Sequence, residues 1–208
     1  MLVSHKYRFI FIKTVKTAGT SIEVDLSKMM GSGDIVTKIF PSEEGHVPRN
    51  YILNGIELYN HMPATEVRKL IGESIFNGYL KFCVEREPVD KCISHYSMRK
   101  NSPFHNKNMA DLTWNQYVEN KSFPVDCRKY TDTSGSLIVD RILHYENLNM
   151  ELRELMGELG VPFDGLKALA KSQFRDNAIS AKNVDYKHKV AIYAAFSESL
   201  PFTGYTLA

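Results

Sequence analysis

The sequence predicts an α/β fold, a central parallel β-sheet flanked by helices, in a single domain over residues 1–208. Three observations predict it. Residues 7–12 and 79–84 are short apolar runs rich in β-branched and aromatic side chains. Each passes through a few loop residues into a helical pattern, and residues 137–145 supply a third run followed by a third helix. Strands alternating with helices need crossovers, and crossovers make parallel neighbours.

The first strand, residues 7–12, leads through Lys13-Thr14-Val15-Lys16-Thr17-Ala18-Gly19 into a helix. Ile22, Leu26, Met29 and Met30 make its core-facing stripe, Thr20 and Glu23 have capping-box spacing, and Gly31 fits the position after its end. Residues 31–60 read as irregular. A short helix follows His61-Met62-Pro63, with Ala64, Val67, Leu70 and Ile71 inward and Gly72 as its stop. The second strand, residues 79–84, enters Glu85-Arg86-Glu87-Pro88, and Pro88 suits a first helical turn. Val89, Cys92, Ile93 and Tyr96 give that helix its apolar face. Residues 99–135 are polar and broken, the candidate for a mobile, substrate-facing segment. Helices are expected at residues 147–160 and 186–200.

Composition removes several classes. The chain of 208 residues is 43% hydrophobic and 24% charged, enough for a core without staples. Three cysteines (Cys83, Cys92, Cys127) with no C-x-x-C pair argue against a disulfide framework or a zinc site. No H-x-x-x-H or H-E-x-x-H pattern occurs, so no metal is expected. No apolar run approaches a membrane span and no signal-peptide core is present, so a cytoplasmic protein with no membrane partner is expected. Net charge is +2, but residues 1–40, 81–107 and 167–189 carry +3, +3 and +4, leaving −8 elsewhere. Brought together, those windows would form an anion pocket. No dense basic stripe or basic–aromatic interleave points to nucleic acid.

Two loops carry the chemistry. Between a buried strand and a helix N-terminus, free N–H groups and the helix dipole favour an anion. Lys16 adds charge, Ala18 and Gly19 leave the backbone open, and Thr17, Thr20 and Ser21 offer hydroxyls. The loop is not a Walker A motif: G-x-x-x-x-G-K-[ST] is absent, and Lys16 precedes Gly19. In the second loop Arg86 leaves a strand just before a helix that carries Ser94, a fork and a hydroxyl able to bracket another phosphate. The plain alternatives are a capped helix with a surface lysine, and Arg86 paired with Glu85 or Glu87.

Together the segments Ile10-Phe11-Ile12 through Lys16-Thr17-Ala18-Gly19-Thr20-Ser21-Ile22, and Phe82 through Arg86-Glu87-Pro88 to Ser94, resemble the two phosphate-binding segments of the PAPS-dependent sulfotransferases. The likeness is to the heparan sulfate 2-O-sulfotransferase and carbohydrate sulfotransferase branch. Asn60-His61-Met62-Pro63-Ala64, His144-Tyr145-Glu146-Asn147-Leu148 and Phe202-Thr203-Gly204-Tyr205 resemble weaker landmarks of that family. Glu87 stands where the family usually has Asn and Lys91 where it often has Arg. Glu87 is expected to turn away from the anion site or to pair with a neighbouring lysine.

The resemblance implies a P-loop-NTPase-like sulfotransferase fold and the co-substrate 3′-phosphoadenosine 5′-phosphosulfate (PAPS). It implies in-line transfer of a sulfuryl group to an acceptor hydroxyl, on a carbohydrate in that branch. Lys16 would neutralise the bridging oxygen, Thr17–Ser21 hold the 5′-phosphate, Arg86 and Ser94 hold the 3′-phosphate, and Lys182 and Asn183 close over the nucleotide. His61 is the expected base, kept neutral by the helix that follows it; His46 is the reserve, and a carboxylate stays open. Arg99, Lys100, Lys107, Arg128 and Lys129 could line a cleft for an anionic glycan, and Trp114 could stack on a sugar. Two other readings stay open: a non-catalytic module that binds PAPS or its product, and a P-loop-like nucleotide kinase.

Overall fold

The structure, a computed structural model, describes residues 1–103, 110–168 and 179–207. It is mixed α/β. A five-stranded sheet has the order β3-β1-β2-β6-β7, formed by β1 (Leu2–Ser4), β2 (Phe9–Phe11), β3 (Ile35–Val36), β6 (Leu80–Glu85) and β7 (Arg141–His144). A separate hairpin pairs β4 (Ile52–Leu53) with β5 (Ile56–Glu57).

The sheet is not all parallel, which corrects the expectation. β2, β6 and β7 run parallel, with Phe11 opposite Phe82 and Val84 opposite Leu143. β1 runs antiparallel to both β2 and β3. A few turn residues separate β1 from β2, too few for a crossover, so the chain must double back. β3 is antiparallel to β1 and so shares the direction of β2. Two- and three-residue strands carry no readable alternation, which is why β1 and β3 went unpredicted.

Side-chain alternation along the central strands builds two cores. Phe9, Phe11, Phe82, Val84 and Leu143 pack on one face with Ile22 and Leu26 of α1 (Gly19–Ser27) and Leu152, Leu155 and Met156 of α7 (Leu148–Glu158). Ile10, Ile12 and Cys83 pack on the other with Ala64, Val67 and Ile71 of α2 (Ala64–Ile71), Phe76 of α3 (Glu73–Gly78), and Cys127 and Tyr130 of α6 (Cys127–Tyr130). Gly72, at φ 88°, separates α2 from α3 in a conformation that favours glycine.

A third cluster lies to one side. Val89, Cys92, Ile93 and Tyr96 of α4 (Pro88–Asn101) meet Tyr117 and Val118 of α5 (Trp114–Glu119). Ile192 and Tyr193 of α8 (Tyr186–Ala195) complete it, and α9 (Leu200–Thr203) ends the helices. Of the segment 99–135, α5 and α6 are thus packed through buried side chains; residues 104–109, with Lys107, lie outside the described residues. The cysteines are free and buried, and burial pushes the thiol of Cys92 up to about 12. Among the described residues no helix is long and apolar enough to cross a membrane.

Candidate functional site

Ligands of open α/β sheets gather at the carboxyl ends of parallel strands. At that edge β2 delivers residues 12–18, β6 delivers Arg86, and β7 delivers Tyr145. The three meet. Arg86 Nη1 donates to the carbonyl of Lys16 at 3.1 Å, and the guanidinium lies 3.8 Å from the ring centroid of Tyr145. The backbone of Lys16 and the guanidinium of Arg86 are therefore in contact at this edge.

Loop 13–18 is locked from beneath. Ile12 N–H bonds the carbonyl of Phe82, and the Thr14 hydroxyl donates to the carbonyl of Val84. Val15 N–H donates to Asp126 Oδ2 at 2.7 Å. Lys16 and Ala18 adopt left-handed backbone, φ 63° and 59°. Each costs an L residue about 1–2 kcal/mol, so the contacts around them must hold the conformation.

Ala18 is the N-cap of α1 and gives the helix no side-chain cap; no acid stands in its first turn. This replaces the expected capping box. Thr20 sits one position inside the helix, with its hydroxyl 3.2 Å from Lys13 Nζ. Glu23 turns inward to Lys13 and the α-amino group of Met1. Gly19 also has a packing reason that the sequence does not show. A Cβ there would stand 2.6 Å from Lys13 Cγ, so glycine makes room for a buried lysine stem. Thr17 is fully buried, its hydroxyl 2.8 Å from that of Thr14, and Ser21 is buried. Val15, Lys16 and Ala18 are the half-buried residues of loop 13–21; Gly19, Thr20 and Ser21, the uncapped first turn of α1, are buried.

The second loop is built differently. Glu87 is the N-cap of α4, accepting from Val89 N–H at 3.1 Å and Asp90 N–H at 2.7 Å, and Tyr193 donates to it at 3.0 Å. Among the described residues it pairs with no lysine; it fills the positive end of its own helix. Arg86, 3% exposed, pairs with neither Glu85 nor Glu87 through its guanidinium. Its partner is Asp90, at 2.8 Å from Nε and closer from Nη2. Ser94 lies one turn beyond Asp90 on the same face of α4, half-buried.

Behind the loops lies a buried ionic group. Lys91, fully buried, reaches Glu85 at 2.7 Å and Asp126 at 2.9 Å, and Lys129 closes on the other oxygen of Asp126. Burial alone would raise the Asp126 carboxyl, but Lys91 and Lys129 outweigh it and hold it below the usual range. Glu85 is pushed up by desolvation.

His61 stands beside the first loop, Nδ1 3.1 Å from the carbonyl of Lys13. That carbonyl can only accept, so Nδ1 carries the proton and Nε2 is left as an acceptor. Burial, with the charges of Lys13 and Lys129, lowers the ring to about 3. It is thus neutral, held so by burial and the two lysines. His46 also faces Lys13; burial and that charge lower it to about 4, and its Nε2 is buried with no partner. Lys182 and Asn183 are exposed on a single turn, Ala181–Asn183, next to Val184, which packs against α4. Asn183 lines a shallow cavity of about 340 Å³ with Trp114, Val184 and His188.

No family model and no solved structure matches the chain. It is similar to an uncharacterized protein of Archaeoglobus fulgidus, 35% identical over 109 residues, or 49% of this chain and 84% of the archaeal one. The chain belongs to that protein's family.

Within this family member, sequence reasoning missed Lys13, Asp90, Asp126 and His95. Asp90 was readable, four residues after Arg86 at the spacing of a helical ion pair. Asp126 contacts Val15 across 111 residues, which no local pattern reports. His95, with Nδ1 2.9 Å from Tyr117 Oη, is lowered to about 4 by burial, Arg99 and Lys16. Among the described residues no group of three His, Cys, Asp or Glu could hold a metal.

Proposed function

We propose that this chain is a PAPS-dependent sulfotransferase of the P-loop-NTPase-like kind, moving a sulfuryl group to an acceptor hydroxyl on a carbohydrate. The observation that carries the reading is the bond from Arg86 to the carbonyl of Lys16. It supports one pocket for two phosphates: the uncapped turn of α1 takes the 5′-phosphosulfate, and Arg86 with Ser94 takes the 3′-phosphate. Lys16 neutralises charge growing on the bridging oxygen as the S–O bond breaks. Lys182 and Asn183 close over the nucleotide from the α4 side.

His61 takes the acceptor proton at Nε2 while Nδ1 stays on the carbonyl of Lys13. The bound anion offsets the charge of Lys13 and raises the basicity of the ring. A value of about 3 in the free chain also favours a second reading, a module that binds the nucleotide and transfers nothing.

Single-turnover incubation with 35S-labelled PAPS and a panel of glycans and phenols decides between them. Label on an acceptor, lost in His61→Gln, supports the enzyme. Tight nucleotide binding without transfer leaves the module, and ATP bound as tightly as adenosine 3′,5′-bisphosphate would replace both with a kinase-like protein.

A further inference from the structure

We propose that Asp126, backed by Lys91, is a positioning residue that holds loop 13–18 in its strained, anion-ready shape; this rests on the anion-loop reading above. The carboxylate stands on α6's N-terminal side, remote in sequence from both loops. Yet it is 2% exposed and takes Val15 N–H at 2.7 Å, the residue just before the left-handed Lys16. One carboxylate oxygen thus fixes the entry to the strained stretch.

A lone buried carboxylate would be a poor anchor, since desolvation would drive it to neutrality. Lys91 prevents this at 2.9 Å and Lys129 holds the second oxygen. Lys91 also grips Glu85 at 2.7 Å, and Glu85 directly precedes Arg86. One buried ammonium therefore ties the root of each loop to the other. The bond from Arg86 to the Lys16 carbonyl joins them again at the tip. Neither Asp126 nor Lys91 points to the open face, so neither is a catalytic residue; they act through Val15 and Arg86.

Removing Asp126 alone would strand Lys91, so the test uses pairs; both leave Glu85 without Lys91 alike and differ only in the group that meets Val15 N–H. Asp126→Leu/Lys91→Met removes acceptor and charge together. Asp126→Asn/Lys91→Met removes the charges but leaves an oxygen for Val15 N–H. Amide hydrogen exchange is read in both without ligand. The Leu pair is expected to exchange at residues 15–20 about tenfold faster or more, with α7 unchanged, and the Asn pair to restore protection. Affinity for adenosine 3′,5′-bisphosphate is expected to fall about tenfold or more in the Leu pair and to recover in the Asn pair.

Equal loop exchange in the two pairs, or loss spread evenly over the domain, would overturn the proposal. Should the Leu pair not fold, the wild-type chain decides. Its Val15 amide is expected to exchange about 10³-fold slower than a free peptide, and exchange near the free rate would overturn the proposal. Wild type that ignores the bisphosphate sinks the nucleotide reading, while the exchange result still decides the role of Asp126.

Discussion

The loops after β2 and β6 share one plan, strand to helix at the same sheet edge, and solve it in opposite ways. The helix after β2 is left uncapped at Ala18, with no acid in its first turn. The helix after β6 is capped by its own Glu87 carboxylate. The first turn of α1 therefore has no side-chain cap, while α4 carries its own carboxylate and Arg86 beside it is bonded to Asp90. A helix N-terminus is available to a ligand when the protein declines to fill it.

Breaking the first loop should have the largest effect. Lys16→Ala is expected to lower single-turnover sulfuryl transfer about 10³-fold with the fold intact by circular dichroism; near-normal transfer would remove Lys16 from its role. Gly19→Val sets a branched side chain against the Lys13 stem, 2.6 Å from where Cβ would stand. Calorimetry should show affinity for adenosine 3′,5′-bisphosphate falling about 10²-fold, because a misplaced loop loses its aligned donors.

Acid separates the first loop's surroundings from the rest of the molecule. Burial and nearby cations hold His61 at about 3, and His46 and His95 at about 4, against 6.5 for an ordinary histidine. Between those values the unfolded chain binds protons that the folded chain refuses. Their contribution is present above about pH 6.5 and is lost as pH falls towards about 4. Asp126, held low by its lysines, adds to the loss at lower pH. Melting temperature should drop on acidification and drop less steeply in His61→Gln; a flat profile in wild type would contradict these environments.

The smallest effect belongs to the second loop's cap. Glu87→Ala is expected to cost about 1 kcal/mol, or about 2–4 °C in melting temperature. Nucleotide affinity should not weaken, since Glu87 faces its own helix and Tyr193. A fall in affinity would mean that the two loops are less different than their caps suggest.

The strands β2 and β6, the Pro88 start of α4 and the stripe of α7 were legible because each is a local pattern of apolar spacing or a proline. The meeting of Lys16 and Arg86 was legible only as two similar loops in order. What escaped depends on long-range packing. The left-handed Ala18 cap has no residue signature, since alanine rarely adopts that conformation. The packing reason for Gly19 escaped, because only the fold shows Lys13 passing beneath it. Asp126 lies in a segment read as loose, and its anchoring of Val15 needs the folded chain to be seen.

We propose one pocket that takes two phosphates through two differently built loops. Its most direct test compares affinity for adenosine 3′,5′-bisphosphate with that for adenosine 5′-monophosphate, in wild type and in Arg86→Ala. Wild type should prefer the bisphosphate by about 10²-fold, the worth of a charged fork on a phosphate, and Arg86→Ala should erase that preference while still binding the monophosphate. Equal affinity for both ligands in wild type, or a preference untouched by Arg86→Ala, would contradict it.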